Sequence, residues 1–342
     1  MKTKQSLFKT ILVLWAFLLP LNLLAQNDVG DLFKSSPQDA TKLVNAYMQP
    51  LFKGMGLGLA TGWHNTAKTK NFLKFDLRIT GTGAFVPDKD QTFNAGTLGL
   101  TTAKPAAGST GIGPTAFGDD APGAKMEFYT DNGTATGQTF NLPQGTGINF
   151  APAAQLQLTV GLPKNIDVSL RLIPDVNLGS DFGRLNQLGL GVKAEILPLI
   201  MGNKDKLVPF DLAVALGFTN TKHTIDLDVN NGKYDNQEVE TKFNGFNAEA
   251  IISKKILFFT PFASVGYVSS NSDLIARGTY DFDTAAGSAT FTNPVTLNNK
   301  DISSMTASLG FQLNLGFLRL YTSYTQAQYG FVNAGLGFGI GK

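Results

Sequence analysis

The amino-acid sequence predicts an all-β protein, a transmembrane antiparallel β-barrel preceded by a short N-terminal helical plug. Three observations predict it. After Gly54 the hydrophobic residues recur with a period of two, which is typical of strands with two unlike faces. The apolar face of each segment is continuous over about 10 residues, the length of a tilted strand that crosses a bilayer. Short connections alternate with long ones, as they do in transmembrane barrels.

The composition excludes several classes of function. The 342 residues include no cysteine and two histidines, and charged residues make up 16% of the chain. A disulfide framework, a thiolate metal site and a cysteine nucleophile are therefore excluded, and a histidine zinc centre has little support. A net charge of +2 argues against nucleic acid as a partner. Ser169, Asp167 and the histidines lack the setting of a catalytic triad, so we expect neither an enzyme nor a cofactor.

The first residues have the pattern of an export signal. Three lysines lie within the first nine residues, an apolar stretch follows over residues 11–24, and Ala25 offers a cleavage point. The alternative is a membrane-anchoring helix. The apolar stretch is about 14 residues long, short of the roughly 20 that span a bilayer, so we expect residues 1–25 to be removed as a signal peptide.

Residues 26–53 are predicted to form the helical plug. Ser36 can cap a helix, Pro37 suits its first position and Pro50 should end it. The plug helix presents one apolar face through Leu43, Val44, Tyr47 and Met48. A helix of about 13 residues is too short to span a membrane and needs a surface to cover this face. We expect it to plug the periplasmic side of the barrel; the alternative is a helix lying on the membrane or on a partner.

Residues 54–342 are predicted to form the barrel. Strands are expected to begin near Gly54, Phe72, Gln91, Ile148, Lys164, Arg184, Leu207, Glu238, Leu257, Lys300, Phe317 and Phe331. Residues 103–147 contain one further strand-like run, Lys125 to Tyr129, and leave room for another pair. The count is therefore twelve or fourteen. The first and last strands both alternate with glycine and are expected to pair, because a barrel in lipid cannot leave open edges.

The inward faces of the predicted strands carry charged residues of both signs. The predicted lumen-lining residues are Lys74, Asp76, Arg78, Asp167, Arg171, Lys193, Glu195, Asp211, Glu249 and Arg319. They could line a polar path. They could also form an ion-pair network that fills a narrow barrel, which we favour because buried charges must be paired. His64, beside Trp63, is expected at the membrane interface.

One acidic segment has part of the pattern of a calcium-binding loop. Asp226, Asp228 and Asn230 precede an Asn-Gly pair. The EF-hand pattern needs glycine and glutamate where this chain has Asn231 and Gln237. We favour an ordinary external hairpin and predict no metal site.

Several segments resemble a family of Gram-negative outer-membrane proteins related to the long-chain fatty-acid transporter barrels. The resemblance is carried by residues 44–54, 62–68, 161–165, 207–212 and 324–339. It implies a barrel of about fourteen strands with an N-terminal plug, located in the outer membrane. It also implies the passage of small hydrophobic molecules.

A different class of function remains open. The long loops would also suit a non-catalytic accessory or structural subunit of a larger outer-membrane secretion or envelope-assembly complex. The expected partners are outer-membrane lipid, hydrophobic small molecules and other outer-membrane proteins of such a complex. Stable partner proteins would favour the second class, and bound lipid in an isolated barrel the first.

Overall fold

The computed structural model describes residues 32, 35–130, 132–179, 183–202, 207–227, 233–234, 237–284 and 287–339. The predicted signal peptide lies outside the described residues. The described helices are α1 (Pro37–Ala60) and α2 (Ile196–Met201). The described strands are β1 (Phe75–Phe85), β2 (Thr92–Asn94), β3 (Ala103–Pro105), β4 (Ile112–Pro114), β5 (Lys125–Tyr129), β6 (Ala135–Asn141), β7 (Phe150–Leu162), β8 (Ile166–Asn177), β9 (Arg184–Glu195), β10 (Asp211–Asp226), β11 (Glu238–Ser253), β12 (Phe259–Arg277), β13 (Thr279–Thr284), β14 (Gly287–Thr292), β15 (Thr296–Leu315), β16 (Leu318–Gln326) and β17 (Phe331–Gly339).

Ten of the described strands close into one antiparallel barrel. Their order around the wall is β1-β17-β16-β15-β12-β11-β10-β9-β8-β7, and β7 returns to β1. The seam between the first and last barrel strands runs from Asp76↔Gly339 to Ala84↔Phe331. The prediction of an all-β antiparallel barrel is confirmed.

The predicted number of strands is wrong. The described residues form ten barrel strands instead of twelve or fourteen, because two predicted strands lie elsewhere. Gly54, expected to open the first strand, lies inside α1, and the segment near Gln91 contributes only the short strand β2. The strand-like run Lys125–Tyr129 is β5, which pairs with β3 and β6 outside the barrel. We call residues 86–149, which contain β2 to β6, the cap.

The outer face of the barrel is apolar. Leu309 is 70% exposed, and its lipid-facing neighbours Val265 and Met305 are exposed as well. The inward residue Gln157, next to the exposed Leu158, is buried. A barrel wall in contact with lipid is expected to have this arrangement, with leucine, valine and phenylalanine outside and polar residues inside.

The two ends of the barrel differ. At one end the strands join through short connections such as residues 163–165 and 316–317; we call it the short-turn end. The cap and residues 278–295 lie at the opposite end, the loop end. No described helix is long and apolar enough to cross a membrane.

Candidate functional site

Helix α1 lies inside the barrel and runs from the loop end towards the short-turn end. It contacts β1, β7, β10, β11, β12 and β15. Ser36 caps it and Pro37 occupies its first turn, as predicted. The helix does not stop at Pro50 but continues to Ala60, because Leu51, Phe52 and Leu57 are buried in the lumen beyond the proline. The apolar face packs at the loop end, so the predicted periplasmic location holds only if that end faces the periplasm.

The apolar face of α1 is covered as its pattern requires. Leu43, Val44 and Tyr47 are buried, and Met48 is partly buried against the same cluster. The covering side chains come from the cap and from the loop-end halves of β11, β12 and β15. The membrane surface and a partner protein are therefore not needed to bury this face.

Asp39 fixes the start of α1 to the cap. Its fully buried carboxylate accepts hydrogen bonds from the backbone N–H groups of Thr101 (2.8 Å), Thr102 (2.6 Å) and Ala103 (3.2 Å). The Thr102 hydroxyl also accepts a bond from the backbone N–H of Ser36 (3.0 Å). A buried carboxylate with several donors is a strong, directional anchor.

A second contact ties the middle of α1 to the same end. Lys53 Nζ lies 3.2 Å from the Asp90 carboxylate, and the Tyr329 hydroxyl donates to that carboxylate at 2.6 Å. Burial and the adjacent Asp90 raise the pKa of Tyr329, so the phenol stays protonated and keeps donating.

Small residues allow α1 to lie directly on β7. A Cβ at Gly54 would collide with Ala151, and one at Gly58 would collide with Ala153. The Gln155 amide donates to the carbonyl of Gly58. The backbone of α1 therefore packs directly on the inner face of β7, with no large side chain between the helix and the strand.

Trp63 lies inside the barrel directly after the helix, against the wall strands β9 and β10. Its ring lies against Gly191 and Gly217, where any side chain would overlap it. The indole N–H donates to the carbonyl of Ala60 at 2.8 Å, and the Arg171 guanidinium stacks 3.6 Å from the ring centroid. The expectation that Trp63 and His64 lie at the membrane interface is wrong, because both are buried in the lumen.

Residues 61–70, here called the lumen segment, are held by charged side chains of the barrel wall. Arg171 donates to the carbonyls of Leu59 (2.9 Å) and Thr61 (2.8 Å). Arg78 donates to the carbonyls of Trp63 and, at 3.3 Å, Gly62. These guanidinium groups bind main-chain oxygens that neither a helix nor a strand would satisfy.

The short-turn half of the lumen segment binds carboxylates and a lysine of the wall. Lys193 forms an ion pair with Asp167 (3.0 Å) and donates to the carbonyls of Thr66 and Lys68. The contacts of the remaining predicted lumen residues are Glu195–Lys68 (2.6 Å), Asp211–Lys68 (3.3 Å), Asp76–Lys70 (3.8 Å), Asp76–Arg319 (2.5 Å) and Glu249–His64 (3.3 Å). Lys74 lies just before β1, half-buried, outside this network.

A small polar cavity remains beside His64. Asn247, Glu249, Ser264 and Asn333 are among its lining residues, and its volume is about 20 Å³. That is room for about one water molecule.

The wall is incomplete between β7 and β8. The two strands pair from Leu162↔Ile166 to Gln157↔Arg171, and pairing among the described residues stops there. Residues 150–156 continue beside β1 and residues 172–177 beside β9, so the loop-end halves of β7 and β8 separate. We call this gap the notch. Unpaired strand edges are costly in lipid, which makes the notch unusual for a barrel wall.

Two prolines mark the notch in the sequence. Pro152 lies in the half of β7 that pairs with β1 but not with β8, and Pro174 lies in β8 where its pairing with β9 shifts register between Ile173 and Val176. Proline has no N–H for a ladder and is confined to strand edges and bulges. The two prolines are therefore the sequence signal for the notch, which alternation alone does not reveal.

A metal ion requires ligating side chains that lie close together. Among the described residues no group of three histidine, aspartate or glutamate side chains could hold a metal ion. The segment weighed as a calcium loop lies largely outside the described residues, since only Asp226 and Gln237 of the five named residues are described.

Comparison with solved structures finds several barrels at low similarity. The translocator domain of the autotransporter NalP from Neisseria meningitidis is 10% identical, with 87% of this chain and 96% of that chain covered and a TM-score of 0.27. The β domain of the Bordetella autotransporter BrkA is 11% identical, covering 78% and 99%, with a TM-score of 0.27. The TodX monoaromatic hydrocarbon channel, as a deletion mutant, is 10% identical, covering 82% and 75%, with a TM-score of 0.25.

Sequence comparison assigns the chain to a family. No curated protein matches it. The model of a family of unknown function, DUF6588, matches residues 1–340. The chain belongs to this family.

Proposed function

We propose that the protein is an outer-membrane barrel that passes small hydrophobic molecules sideways, between its loop end and the bilayer, through the notch between β7 and β8. In this proposal residues 1–25 are a cleaved signal peptide and the loop end faces the cell exterior. The notch carries the proposal, because hydrogen bonds do not close the described wall between the loop-end halves of β7 and β8.

The lumen supports a sideways route over an axial one. Its short-turn half is filled by Trp63, the lumen segment and the ion pairs that hold them. Its loop-end half is lined by an apolar cluster to which Leu51, Ala84 and Ala151 belong. An apolar molecule that reaches the notch from the loop end must loosen the packing of α1 on β7, but it need not separate the buried ion pair of Lys193 and Asp167, which is the costly step.

A disulfide across the notch tests the route. If the β7–β8 register continued, Ala154 would lie opposite Pro174, so Ala154→Cys with Pro174→Cys places a pair that can close the gap. The natural chain has no cysteine to interfere. The matched control is Val160→Cys with Val168→Cys, two residues that already pair. The assay is uptake of the fluorescent aromatic probe N-phenylnaphthylamine by cells that produce each folded variant.

We expect oxidation to stop uptake through the notch variant and reduction to restore it, with the control unaffected by either. Equal uptake by the oxidised and reduced notch variant, with the disulfide verified by mass spectrometry, would refute the sideways route. Loss of uptake in the oxidised control as well would also refute it, because the effect would then not depend on the notch.

The cap favours a second candidate function, an accessory subunit of a larger outer-membrane complex. It places 64 residues and two small sheets outside the barrel, and Ile112 on β4 is a large apolar residue exposed there. Purification in mild detergent separates the candidates. A partner protein retained by the full chain and lost on Ile112→Asp would favour the accessory role, and an isolated barrel that retains only lipid would favour transport.

A further inference from the structure

Four cationic side chains cluster on the outer face of the barrel, above the apolar belt at the loop end. They are Arg184 on β9, Lys222 on β10, Lys242 on β11 and Arg277 on β12. Each is 42% to 44% exposed. Their strands are neighbours in the wall, so the four charges form one continuous patch.

The register places this patch directly beyond the lipid-facing residues. Phe218 and Phe246 pair across β10 and β11 and are exposed on the apolar face. The next outward pair, Asn220 and Asn244, is joined by a hydrogen bond of 2.6 Å. Lys222 and Lys242 follow, about 13 Å along the strand from the phenylalanines at the usual rise per residue. Side chains at this height meet lipid headgroups.

Lys222 and Lys242 face each other directly, an arrangement that repulsion disfavours. The buried carboxylate of Glu240 holds them together, at 2.6 Å from Lys222, 3.0 Å from Lys242 and 3.0 Å from Arg277. One carboxylate therefore gathers three cations whose other N–H donors remain on the surface. The result is a preorganised group of donors.

Arg184 extends the patch on the other side. It contacts Asp226 and Glu238, each at 3.2 Å. Its Nε is buried and has no hydrogen-bond partner among the described residues. The carboxylates Asp226, Glu238, Glu240 and Asp273, the last opposite Lys242, share this face with the four cations, so the charges balance. What the patch offers an anionic group is the N–H donors that these carboxylates leave exposed.

We propose that this patch binds the phosphate groups of the glycolipid that forms the outer leaflet of the outer membrane. The patch has the exposed N–H donors and the height that such a headgroup requires, and clustered basic residues beside an apolar membrane surface bind anionic lipid. The proposal takes from the proposed function only that the loop end faces the cell exterior. It does not depend on transport through the notch.

Binding is measured by native mass spectrometry of the full-length purified protein in detergent, titrated with diphosphoryl lipid A. Parallel titrations use the same lipid after removal of both phosphates, and inorganic phosphate alone. The test variant is Lys222→Gln with Lys242→Gln, and the matched control is Lys254→Gln with Lys255→Gln, two exposed lysines at the short-turn end. Uptake through the notch is not part of the readout, so a failed transport proposal leaves this result interpretable.

We expect the wild type and the control to bind diphosphoryl lipid A equally, and the test variant to bind it about 30-fold more weakly, from about fivefold for each lysine at an anionic surface. Equal binding by the test variant and the control would overturn the proposal. Equal binding of the dephosphorylated lipid, or binding of inorganic phosphate without the lipid, would overturn it as well. If the double variant fails to fold, Arg184→Gln is used, with about a fivefold loss expected and no loss refuting the proposal.

Discussion

Replacing Arg171 with methionine should loosen the lumen segment and open the barrel to ions. Arg171 is buried on β8 and donates to the carbonyls of Leu59 and Thr61 at the end of α1. It also stacks on Trp63. Methionine has a similar length and keeps much of the apolar contact, but it offers neither donors nor charge.

The structure sets the size of the effect. Two hydrogen bonds from a charged group contribute about 3–6 kcal/mol together, and a desolvated cation–π pair contributes about 2 kcal/mol. Removing the charge also removes its desolvation penalty, which is several kcal/mol. The free energy that holds the lumen segment against the wall is therefore lowered by about 3 kcal/mol. This raises the ratio of released to bound lumen segment roughly a hundredfold.

Single-channel recording in planar bilayers measures this ratio as open time. Folded Arg171→Met protein should show roughly a hundredfold more open time than the wild type. The control Lys254→Met, at an exposed turn, should behave as the wild type. A folded Arg171→Met variant that conducts no more than the wild type would refute the reasoning that Arg171 holds the lumen segment in place.

Three further predictions concern the wall, the tryptophan and the loop end. Leu309→Arg, at a lipid-facing position, should destabilise the barrel by about 2–4 kcal/mol in urea unfolding from lipid vesicles; Leu257→Arg, 84% exposed in a short turn, should cost far less, and equal costs would contradict the membrane register. Protein produced without residues 1–25 has Trp63 as its one tryptophan. Gly217→Val should displace the Trp63 ring and raise iodide quenching of its fluorescence. The control Gly83→Ala should leave the quenching unchanged, because its added methyl makes an ordinary contact with Phe150 at 3.5 Å. Hydrogen bonds from Lys233 and Thr290 lower the pKa of Asp281 to about 2. This contact therefore stabilises the loop end above the unfolded pKa of about 4, and the stabilisation is lost as the pH falls towards 2. In Lys233→Gln, a carboxyl titration by NMR should give a higher pKa for Asp281, and an unchanged pKa would contradict the pairing.

The barrel was predictable because its signal is local and repeated. Alternation such as Leu156, Leu158 and Val160 fixes both the strand and its outward face, and the same period recurs in β1, β9 and β10. The exception is instructive. Gly54, Gly56 and Gly58 fit a period of two, but Gly54 and Gly58 also lie four residues apart on one helical face, where they pack on β7. Whether this segment forms a strand or a helix is decided by its packing inside the barrel. That packing cannot be read from the local sequence pattern.

The interior was only partly predictable for a similar reason. Inward charges such as Asp167 and Lys193 follow from strand parity, but their contacts with Thr66 and Lys68 do not. The lumen segment has no periodicity from which its path could be read. The position of α1 along the barrel could not be read from the sequence either, because Asp39 is bound by the cap, over sixty residues later.

The central claim is that the lumen is occupied by a helix that enters from the loop end, with that end outside the cell. Two single-cysteine variants test it on intact cells with a membrane-impermeant maleimide. Gln38→Cys lies exposed at the start of α1, and Lys164→Cys lies exposed in a short turn at the opposite end. We predict that Gln38→Cys is labelled on intact cells and that Lys164→Cys is labelled only after the outer membrane is permeabilised. Labelling of Lys164→Cys on intact cells, or protection of Gln38→Cys until permeabilisation, would contradict the account.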